Sequence, residues 1–162
     1  MYKNLRGQHP KQQMSVGVFV AVRKHKYDAD FGYDNHFLLV KHNYGERKWS
    51  LPGGKLEQGE LVPNGGRRET FEEASVVIKI KRLKGIFSLR KSFGLAILLE
   101  GQILNGKPKP DGKETSDCGF FKIAEIKPEE IYPAQLSLLM WAEKTRDRIT
   151  PVYGWLSVPP TP

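Results

Sequence analysis

Cysteine is almost absent from this 162-residue chain, in which Cys118 is the single one. One cysteine cannot form an intrachain disulfide or build a cysteine-based metal cluster. Long hydrophobic runs are also missing, since no stretch approaches the ~20 apolar residues of a membrane span. Residues 1–14 are polar and have no apolar segment of the kind found in signal peptides. We therefore expect a cytoplasmic protein that is neither exported nor embedded in a membrane.

Acidic residues are fewer than basic ones. The chain has 18 Asp and Glu against 26 Lys and Arg, which gives a formal net charge of +8. This balance favours anionic partners, which are phosphorylated small molecules, nucleic acid or an acidic membrane surface. The basic residues are spread along the chain, so an ordinary solvated surface explains them equally well. The length and the 39% hydrophobic content predict a single globular domain. We place it at residues 14–150, between an N-terminal arm (residues 1–13) and a proline-rich tail (residues 151–162).

Hydrophobic patterning predicts a domain of strands and helices. The segment between the first two strands, residues 24–35, is read as a loop that borders a binding site or links a hairpin. The tail is interpreted as flexible, with docking on the domain or on a second subunit as the alternative. Residues 93–100 are nearly all apolar and are predicted to form a central strand. The predicted strands are 15–22, 36–41, 76–81, 85–89, 93–100 and 119–123, and the predicted helices are 69–75 and 134–148.

Three glutamates lie on one face of the first predicted helix. Glu69, Glu72 and Glu73 stand at positions i, i+3 and i+4, which brings their carboxylates within mutual reach. Like charges repel at this separation unless a cation neutralises them, and hard oxygen ligands select magnesium, manganese or calcium over zinc. The spacing alone is weak evidence, since a solvated acidic helix face has the same pattern.

The other face of this helix carries Thr70, Phe71 and Ala74, which suit packing against a sheet. The acidic face is therefore expected to point outward into a cleft. Arg68 directly precedes the acidic residues and is expected to orient their carboxylates by charge-assisted hydrogen bonds. We assign Arg68 a structural role rather than a catalytic one.

The segment GKLEQGELVPNGGRRETFEEASV, residues 54–76, resembles the signature of the Nudix hydrolase family, G-x5-E-x7-R-E-U-x-E-E-x-G-U, where U is a bulky apolar residue. Every charged position of the signature is present. WSLPGG before the segment and residues 114–126 after it extend the resemblance to about residues 14–148. The matching positions are Gly54, Glu60, Arg68, Glu69, Glu72, Glu73 and Val76.

The segment departs from the signature at Thr70, where a larger apolar residue is usual, and at Ser75, which replaces the last glycine. A serine in the left-handed conformation of that glycine costs on the order of 1 kcal/mol. Gly65 and Gly66 lie where the helix should begin. In a helix interior each glycine costs roughly 0.8 to 1 kcal/mol relative to alanine. A hairpin turn at Asn64 and Gly65 is the alternative that would break the motif.

The resemblance implies a Nudix fold, α/β (α+β), in which a mixed β-sheet is sandwiched between α-helices. It also implies hydrolysis of a nucleoside diphosphate linked to another moiety, with Mg²⁺ as cofactor and Mn²⁺ as a substitute. By resemblance Glu72 and Glu73 are the principal metal ligands, Glu69 is a ligand or the base, and the Gly53 carbonyl is a further ligand. Glu114 is a second candidate base, with an ordinary surface glutamate as the alternative interpretation.

Four basic residues near the motif are candidate phosphate contacts, although solvated side chains are the commoner outcome for such residues. The sequence does not choose among nucleoside triphosphates, nucleotide sugars, dinucleoside polyphosphates and RNA 5′ ends as substrates. A non-catalytic Nudix-like nucleotide sensor or RNA-binding domain is the alternative function, and the oligomeric state stays open. The candidate phosphate contacts are Arg23, Lys41, Arg47 and Lys55.

Overall fold

The computed structural model of the protein describes residues 14–28, 32–89, 94–145 and 153–155. Within these residues eight strands and two α-helices follow one another, and neither helix is long and apolar enough to cross a bilayer. The helices are α1 (Val62–Ala74) and α2 (Pro133–Lys144). The strands are β1 (Ser15–Asp28), β2 (Gly32–His42), β3 (Trp49–Ser50), β4 (Gly53–Lys55), β5 (Val77–Ser88), β6 (Gly94–Asn105), β7 (Thr115–Phe121) and β8 (Tyr153–Trp155).

The strands form one mixed sheet in the order β3-β2-β1-β6-β5-β8, with β4 paired to β1 and β7 paired to β2. The β1–β6 and β5–β8 pairs are parallel, and the remaining pairs are antiparallel. β6 lies between β1 and β5, so the prediction of a central strand from its apolar sequence is confirmed.

Both faces of the sheet are covered, because alternate side chains of a strand point to opposite faces. Val18 and Val20 pack in one cluster with Ala74 of α1. Ala21 packs in a second cluster with Leu138 of α2. This alternation explains why the β1 sequence is apolar at nearly every position, and it confirms the predicted mixed sheet between helices.

Several elements differ in extent from the predictions. β1 and β2 continue into the segment that was predicted to be a loop. They pair in antiparallel fashion from the Arg23–Phe37 pair to the Asp28–Gly32 pair, so the hairpin interpretation is confirmed. β5 joins the two strands predicted at 76–81 and 85–89, and register shifts mark the places where its pairing is irregular. Three residues of the predicted tail form β8, which pairs with β5. For these three residues the alternative that the tail docks on the domain is therefore correct. The predicted arm, residues 1–13, lies outside the described residues.

α1 extends N-terminally beyond the predicted residues 69–75 and includes the glycine pair. A Cβ at Gly65 would lie 2.3 Å from Cδ2 of Leu56, and one at Gly66 would lie 3.0 Å from Cγ2 of Val20. The glycines therefore let the helix approach the loop before it and the sheet beneath it. The hairpin alternative at this position is wrong, since close packing outweighs the low helix propensity of glycine.

The C-terminal end of α1 is closed by Ser75 in the left-handed conformation, with φ 56° and ψ 28°. Its N–H donates to the carbonyl oxygen of Phe71 at 2.8 Å. This is the position at which the family signature has glycine, and the Cβ of a serine is unfavourable in that conformation.

We predict that Ser75→Gly raises the free energy of unfolding by about 0.5 to 1 kcal/mol, because glycine removes the cost of the left-handed conformation. Urea unfolding of the wild-type and variant proteins measures the difference. Ser75→Ala is the control and should bring no such gain, since it keeps a Cβ at this position. Equal stability of the glycine variant and the wild type would contradict the prediction.

Candidate active site

Two glycines of β4 allow the acidic side chains of α1 to approach the backbone beside the sheet. Gly53 has φ 153°, and a Cβ there would lie 2.2 Å from the carbonyl oxygen of Val18. A Cβ at Gly54 would lie 2.6 Å from a carboxylate oxygen of Glu69. Any larger residue at either position would push β4 away from β1 or from the helix.

Glu73 is the most deeply buried carboxylate of the site, with 3% of its surface exposed. Its Oε2 accepts a hydrogen bond from the Gly53 N–H at 2.8 Å. Burial raises the pKa of Glu73 to about 8, against the opposing effect of this hydrogen bond. The nearby carboxylates of Glu69, Glu114 and Asp111 raise the pKa of Glu73 further. A cation is therefore favourable here, because it offsets both the burial and the repulsion.

The other two glutamates of the acidic face differ in exposure. Glu69 is 8% exposed, and burial raises its pKa although a hydrogen bond from Arg68 opposes the rise. The Glu72 side chain is 54% exposed and accepts from Arg68 Nη1 at 3.0 Å. The expectation that the acidic face points outward is therefore correct for Glu72 and wrong for Glu69 and Glu73. Those two side chains turn inward because the glycines of β4 leave space for them.

The opposite face of α1 also needs one correction. Thr70 and Ala74 are fully buried, as predicted, but Phe71 is 56% exposed. The Thr70 hydroxyl donates to the carbonyl oxygen of Gly66 at 2.7 Å. That internal hydrogen bond satisfies the hydroxyl, so threonine is accommodated where the family usually has a larger apolar residue.

Arg68 joins the charged positions of the motif into one network. Its Nε and Nη2 donate to the two carboxylate oxygens of Glu60 at 2.9 and 3.0 Å. Its Nη1 donates to Glu69 at 2.9 Å and to Glu72 at 3.0 Å, and Nη2 also donates to the Lys55 carbonyl at 3.3 Å. The hydrogen bonds from Arg68 lower the pKa of Glu60. This geometry agrees with the predicted orienting role of Arg68.

Glu114 lies close to the buried carboxylates although it is distant from them in sequence. Its negative charge raises the pKa of Glu69 and of Glu73. It also raises the pKa of Tyr44, after the larger effect of burial. The structure therefore brings the four predicted catalytic carboxylates to one region.

The fit of these residues to a metal ion follows from their chemistry. No group of three or more His, Cys, Asp or Glu side chains in the described part of the chain is already arranged as a metal site. Arg68 engages Glu69 and Glu72, and Gly53 engages Glu73. The donors are nevertheless all oxygens, and the buried carboxylates raise one another's pKa, so the set suits a hard divalent cation.

A cavity of about 410 Å³ opens beside β4. Its aromatic residues include His42, whose ring centroid is 4.8 Å from that of Tyr44 and 5.6 Å from that of Tyr132. No local sequence pattern marks His42, Tyr132 and Gln135 as site residues, because none shows that β2 and the start of α2 meet. The lining residues that concern the site are His42, Tyr44, Gly53, Gly54, Lys55, Tyr132 and Gln135.

Two hydrogen-bond acceptors of this cavity lining are unused. The Ser50 hydroxyl donates to the Leu51 carbonyl at 3.0 Å and therefore accepts from His42 Nε2–H at 2.8 Å. The other ring nitrogen, Nδ1, then carries a lone pair, and burial lowers the pKa of His42 against an opposing effect of Glu114. Within the described residues neither His42 Nδ1 nor Gln135 Oε1 has a hydrogen-bond partner. Such buried acceptors call for a donor.

The four predicted phosphate contacts lie in different places. Lys55 lines the cavity beside β4. The ammonium of Lys41 lies 5.7 Å from the ring centroid of Trp49, and Arg47 lies in an exposed turn with φ 51°. Arg23 donates to a backbone carbonyl of α2 at 2.8 Å and lines a separate cavity. The structure therefore places Lys55 at the candidate site and Arg23 away from it.

A sequence model of the NUDIX domain matches residues 11–142 of the chain. The chain belongs to the Nudix family. Among curated Nudix relatives, the ADP-ribose pyrophosphatase of Methanocaldococcus jannaschii is 29% identical over 99 residues, which is 57% of this chain. The match spans 58% of that relative, so the chain corresponds to little more than half of its length.

Solved structures share the Nudix fold. A NUDIX hydrolase from Nitrosomonas europaea has a TM-score of 0.73 and 24% identity, with 89% of this chain and 79% of that chain covered. An ADP-ribose pyrophosphatase from Streptococcus suis 89-1591 has a TM-score of 0.64 and 22% identity, with 88% of this chain and 99% of that chain covered. At these identities the likeness shows the fold alone.

The raised pKa of Glu73 predicts how the stability of the metal-free protein depends on pH. The folded state keeps a proton up to about pH 8, whereas an ordinary glutamate releases it near 4.5. The free energy of unfolding should therefore fall between about pH 5 and pH 8, by an amount on the order of a few kcal/mol. Glu73→Gln should remove much of this fall, because the amide stays neutral.

Urea unfolding in chelator from pH 5 to pH 9 measures this dependence. Glu129→Gln is the control, because Glu129 is exposed and belongs neither to the motif nor to the Arg68 network, so it should leave the pH dependence as in the wild type. If the free energy of unfolding fell equally with pH in the wild type and in Glu73→Gln, Glu73 would not be the group that holds the proton.

Proposed function

We propose that the protein is a divalent-metal-dependent hydrolase that cleaves the diphosphate linkage in a nucleoside diphosphate attached to another moiety. The observation that carries the proposal is the buried carboxylate of Glu73, held by the Gly53 N–H next to Glu69 and beside an open cavity. Without a cation the buried carboxyl of Glu73 keeps its proton, and the neighbouring carboxylates repel a phosphorylated substrate. A bound cation reverses that repulsion.

Oxygens of the motif would hold the ion. Glu69, Glu72 and Glu73, together with the Gly53 carbonyl, supply carboxylate and carbonyl donors of the kind that Mg²⁺ and Mn²⁺ prefer. When bound, the ion neutralises phosphate charge and polarises the phosphoryl oxygens. Arg68 keeps Glu69 and Glu72 oriented toward this region through its two hydrogen bonds from Nη1.

Glu114 is the residue that we assign as general base. Oxygens of Glu69 and Glu73 already accept hydrogen bonds from Arg68 and from the Gly53 N–H, whereas Glu114 is exposed. A carboxylate accepts the proton of the attacking water most readily when its oxygens are not already occupied. The Glu114 carboxylate would therefore take this proton as the water oxygen bonds to one phosphorus and the bond from that phosphorus to the bridging oxygen breaks, so that the bridging oxygen leaves on the other phosphate.

The cavity beside β4 would take an organic part of the substrate. Its volume of about 410 Å³ suits a nucleoside, and the rings of Tyr44 and Tyr132 offer faces for contact with a base. The unused acceptors of His42 and Gln135 would receive hydrogen bonds from the amino or hydroxyl groups of a nucleoside. Lys55, at the cavity edge, would contact a phosphate.

ADP-ribose is the first substrate to test, because the relative with 29% identity over 99 residues carries the name ADP-ribose pyrophosphatase. ADP-ribose also has a diphosphate between two organic groups, as the proposed reaction requires. Nucleoside triphosphates, nucleotide sugars, dinucleoside polyphosphates and 5′-triphosphate RNA complete the panel.

We expect turnover of at least one panel member with Mg²⁺ or Mn²⁺ and none with chelator. Glu73→Gln should abolish measurable turnover, and Glu114→Gln should lower kcat by roughly 10²-fold to 10⁴-fold, the usual range for loss of a general base. Phosphate-product release measures both.

Glu129→Gln is the control for these variants. Glu129 is an exposed glutamate in a 3-10 turn, so its replacement should keep wild-type turnover. Wild-type turnover by Glu73→Gln would overturn the metal assignment, and ligand binding without any turnover would favour a sensor.

The cavity assignment predicts a binding effect at Gln135. Gln135→Leu keeps a similar volume but removes the acceptor, so KM for the preferred nucleotide should rise by about 10-fold with kcat little changed, equivalent to about 1.4 kcal/mol. Steady-state kinetics on the best panel substrate provide the measurement. Gln102→Leu, an exposed glutamine on β6, should leave KM as in the wild type. An unchanged KM for Gln135→Leu would place the organic moiety elsewhere.

A further inference from the structure

The loop before β7 closes the C-terminal end of α1. The last carbonyl groups of a helix have no partner inside the helix. Here the Lys109 N–H donates to the Ala74 carbonyl at 2.9 Å. The Thr115 hydroxyl oxygen lies 2.8 Å from the carbonyl oxygen of Glu73 and 3.0 Å from Asp111 Oδ1, and its one proton is donated to the nearer acceptor, Glu73. The segment that carries Glu114 is therefore bonded directly to the backbone of the buried glutamate.

Asp111 organises the same loop from within. Its Oδ1 accepts from the backbone N–H groups of Lys113, Glu114 and Thr115 at 3.1, 3.1 and 2.8 Å. The Asp111 N–H in turn donates to the Thr115 hydroxyl oxygen at 3.2 Å. One carboxylate and one hydroxyl thus fix both sides of the Glu114 peptide.

A third contact holds the loop from the end of β2. The Asn43 N–H donates to the Glu114 carbonyl at 2.7 Å, and the Asn43 side-chain amide donates to the Lys113 carbonyl at 3.3 Å. Glu114 itself is exposed, and no hydrogen bond fixes its carboxylate among the described residues. The loop contacts therefore fix the Glu114 backbone, whereas none of them holds its carboxylate.

Thr115 is the point at which these contacts converge. It is fully buried, yet its hydroxyl joins the Asp111 loop to α1. A buried residue of this size with only a packing role would serve equally well as valine. The hydroxyl is what ties the loop of the proposed base to the helix of the proposed metal ligands.

We propose that Thr115 is a positioning residue that acts through its hydroxyl to hold the backbone of Glu114 in place beside the end of α1. The inference rests on the proposed hydrolase function. Thr115 is fully buried and does not line the cavity beside β4; it sets the backbone position from which Glu114 meets the attacking water. Loss of the hydroxyl should therefore slow the chemical step and leave substrate binding nearly unchanged.

A pair of substitutions separates the hydroxyl from the shape of the side chain. Thr115→Val removes the hydroxyl and keeps the shape, and we expect kcat to fall by about 10-fold with KM changed less than twofold. Thr115→Ser keeps the hydroxyl and should retain kcat within about threefold of the wild type. Thr145→Val removes a comparable buried hydroxyl bond to the Trp141 carbonyl on α2 and is the control expected to keep wild-type kcat.

A double substitution tests whether the effect passes through Glu114. In a Glu114→Gln background, Thr115→Val should lower kcat no further, because the group that it positions no longer accepts a proton. A general structural role for Thr115 would instead lower kcat by the same factor in both backgrounds. That result, or wild-type kcat for Thr115→Val, would overturn the proposal.

Amide hydrogen exchange gives a readout that does not need turnover. In Thr115→Val, exchange at Glu114 and Thr115 should be faster than in the wild type, while exchange within α2 stays the same. If the wild type turns over no panel member but exchange responds in this way, the proposed function fails and the anchoring of the loop stands. Unchanged exchange at Glu114 would reject the anchoring whatever the activity.

Discussion

The burial of the Glu73 carboxylate against the Gly53 N–H is the interaction on which the rest of the site depends. A buried carboxylate is costly unless it is hydrogen-bonded and its charge is compensated. The close approach requires glycine at positions 53 and 54, and it requires α1 to pack tightly on β1. The glycines inside α1 permit that packing, so residues that look unsuited to a helix serve its placement.

Arg68 extends this arrangement to the outer part of the motif. Its guanidinium lies against Glu60, Glu69 and Glu72, so that one cation compensates part of the charge of three carboxylates. Glu73 lies outside this set and keeps the greatest need for a further positive charge. Arg68 therefore compensates the outer carboxylates of the motif and leaves the buried one with its hydrogen bond from Gly53.

The sequence predicted the elements whose signals are local. The apolar run of β1, the central position of β6 and the charged motif of α1 are all visible within short segments, and the Nudix family resemblance is confirmed. The inward turn of Glu69 and Glu73 was missed, because helical spacing shows which residues share a face but not that glycines elsewhere leave space for them. Glu114 entered through the resemblance, whereas Thr115 and Gln135 depend on contacts between distant segments. Phe71 was misplaced because hydrophobicity alone was taken to mean burial.

The irregular pairing of β5 has a consequence for association between molecules. β8 covers β5 along residues 86–88, and within the described residues no strand lies beside the rest of its outer edge. An open edge can pair with the edge of another chain. Here the exposed side chains of Lys79 and Lys81 and the register shifts between Ile80 and Gly85 make that edge charged and uneven. The irregular pairing of β5 within the sheet therefore also discourages growth of the sheet from one molecule to the next.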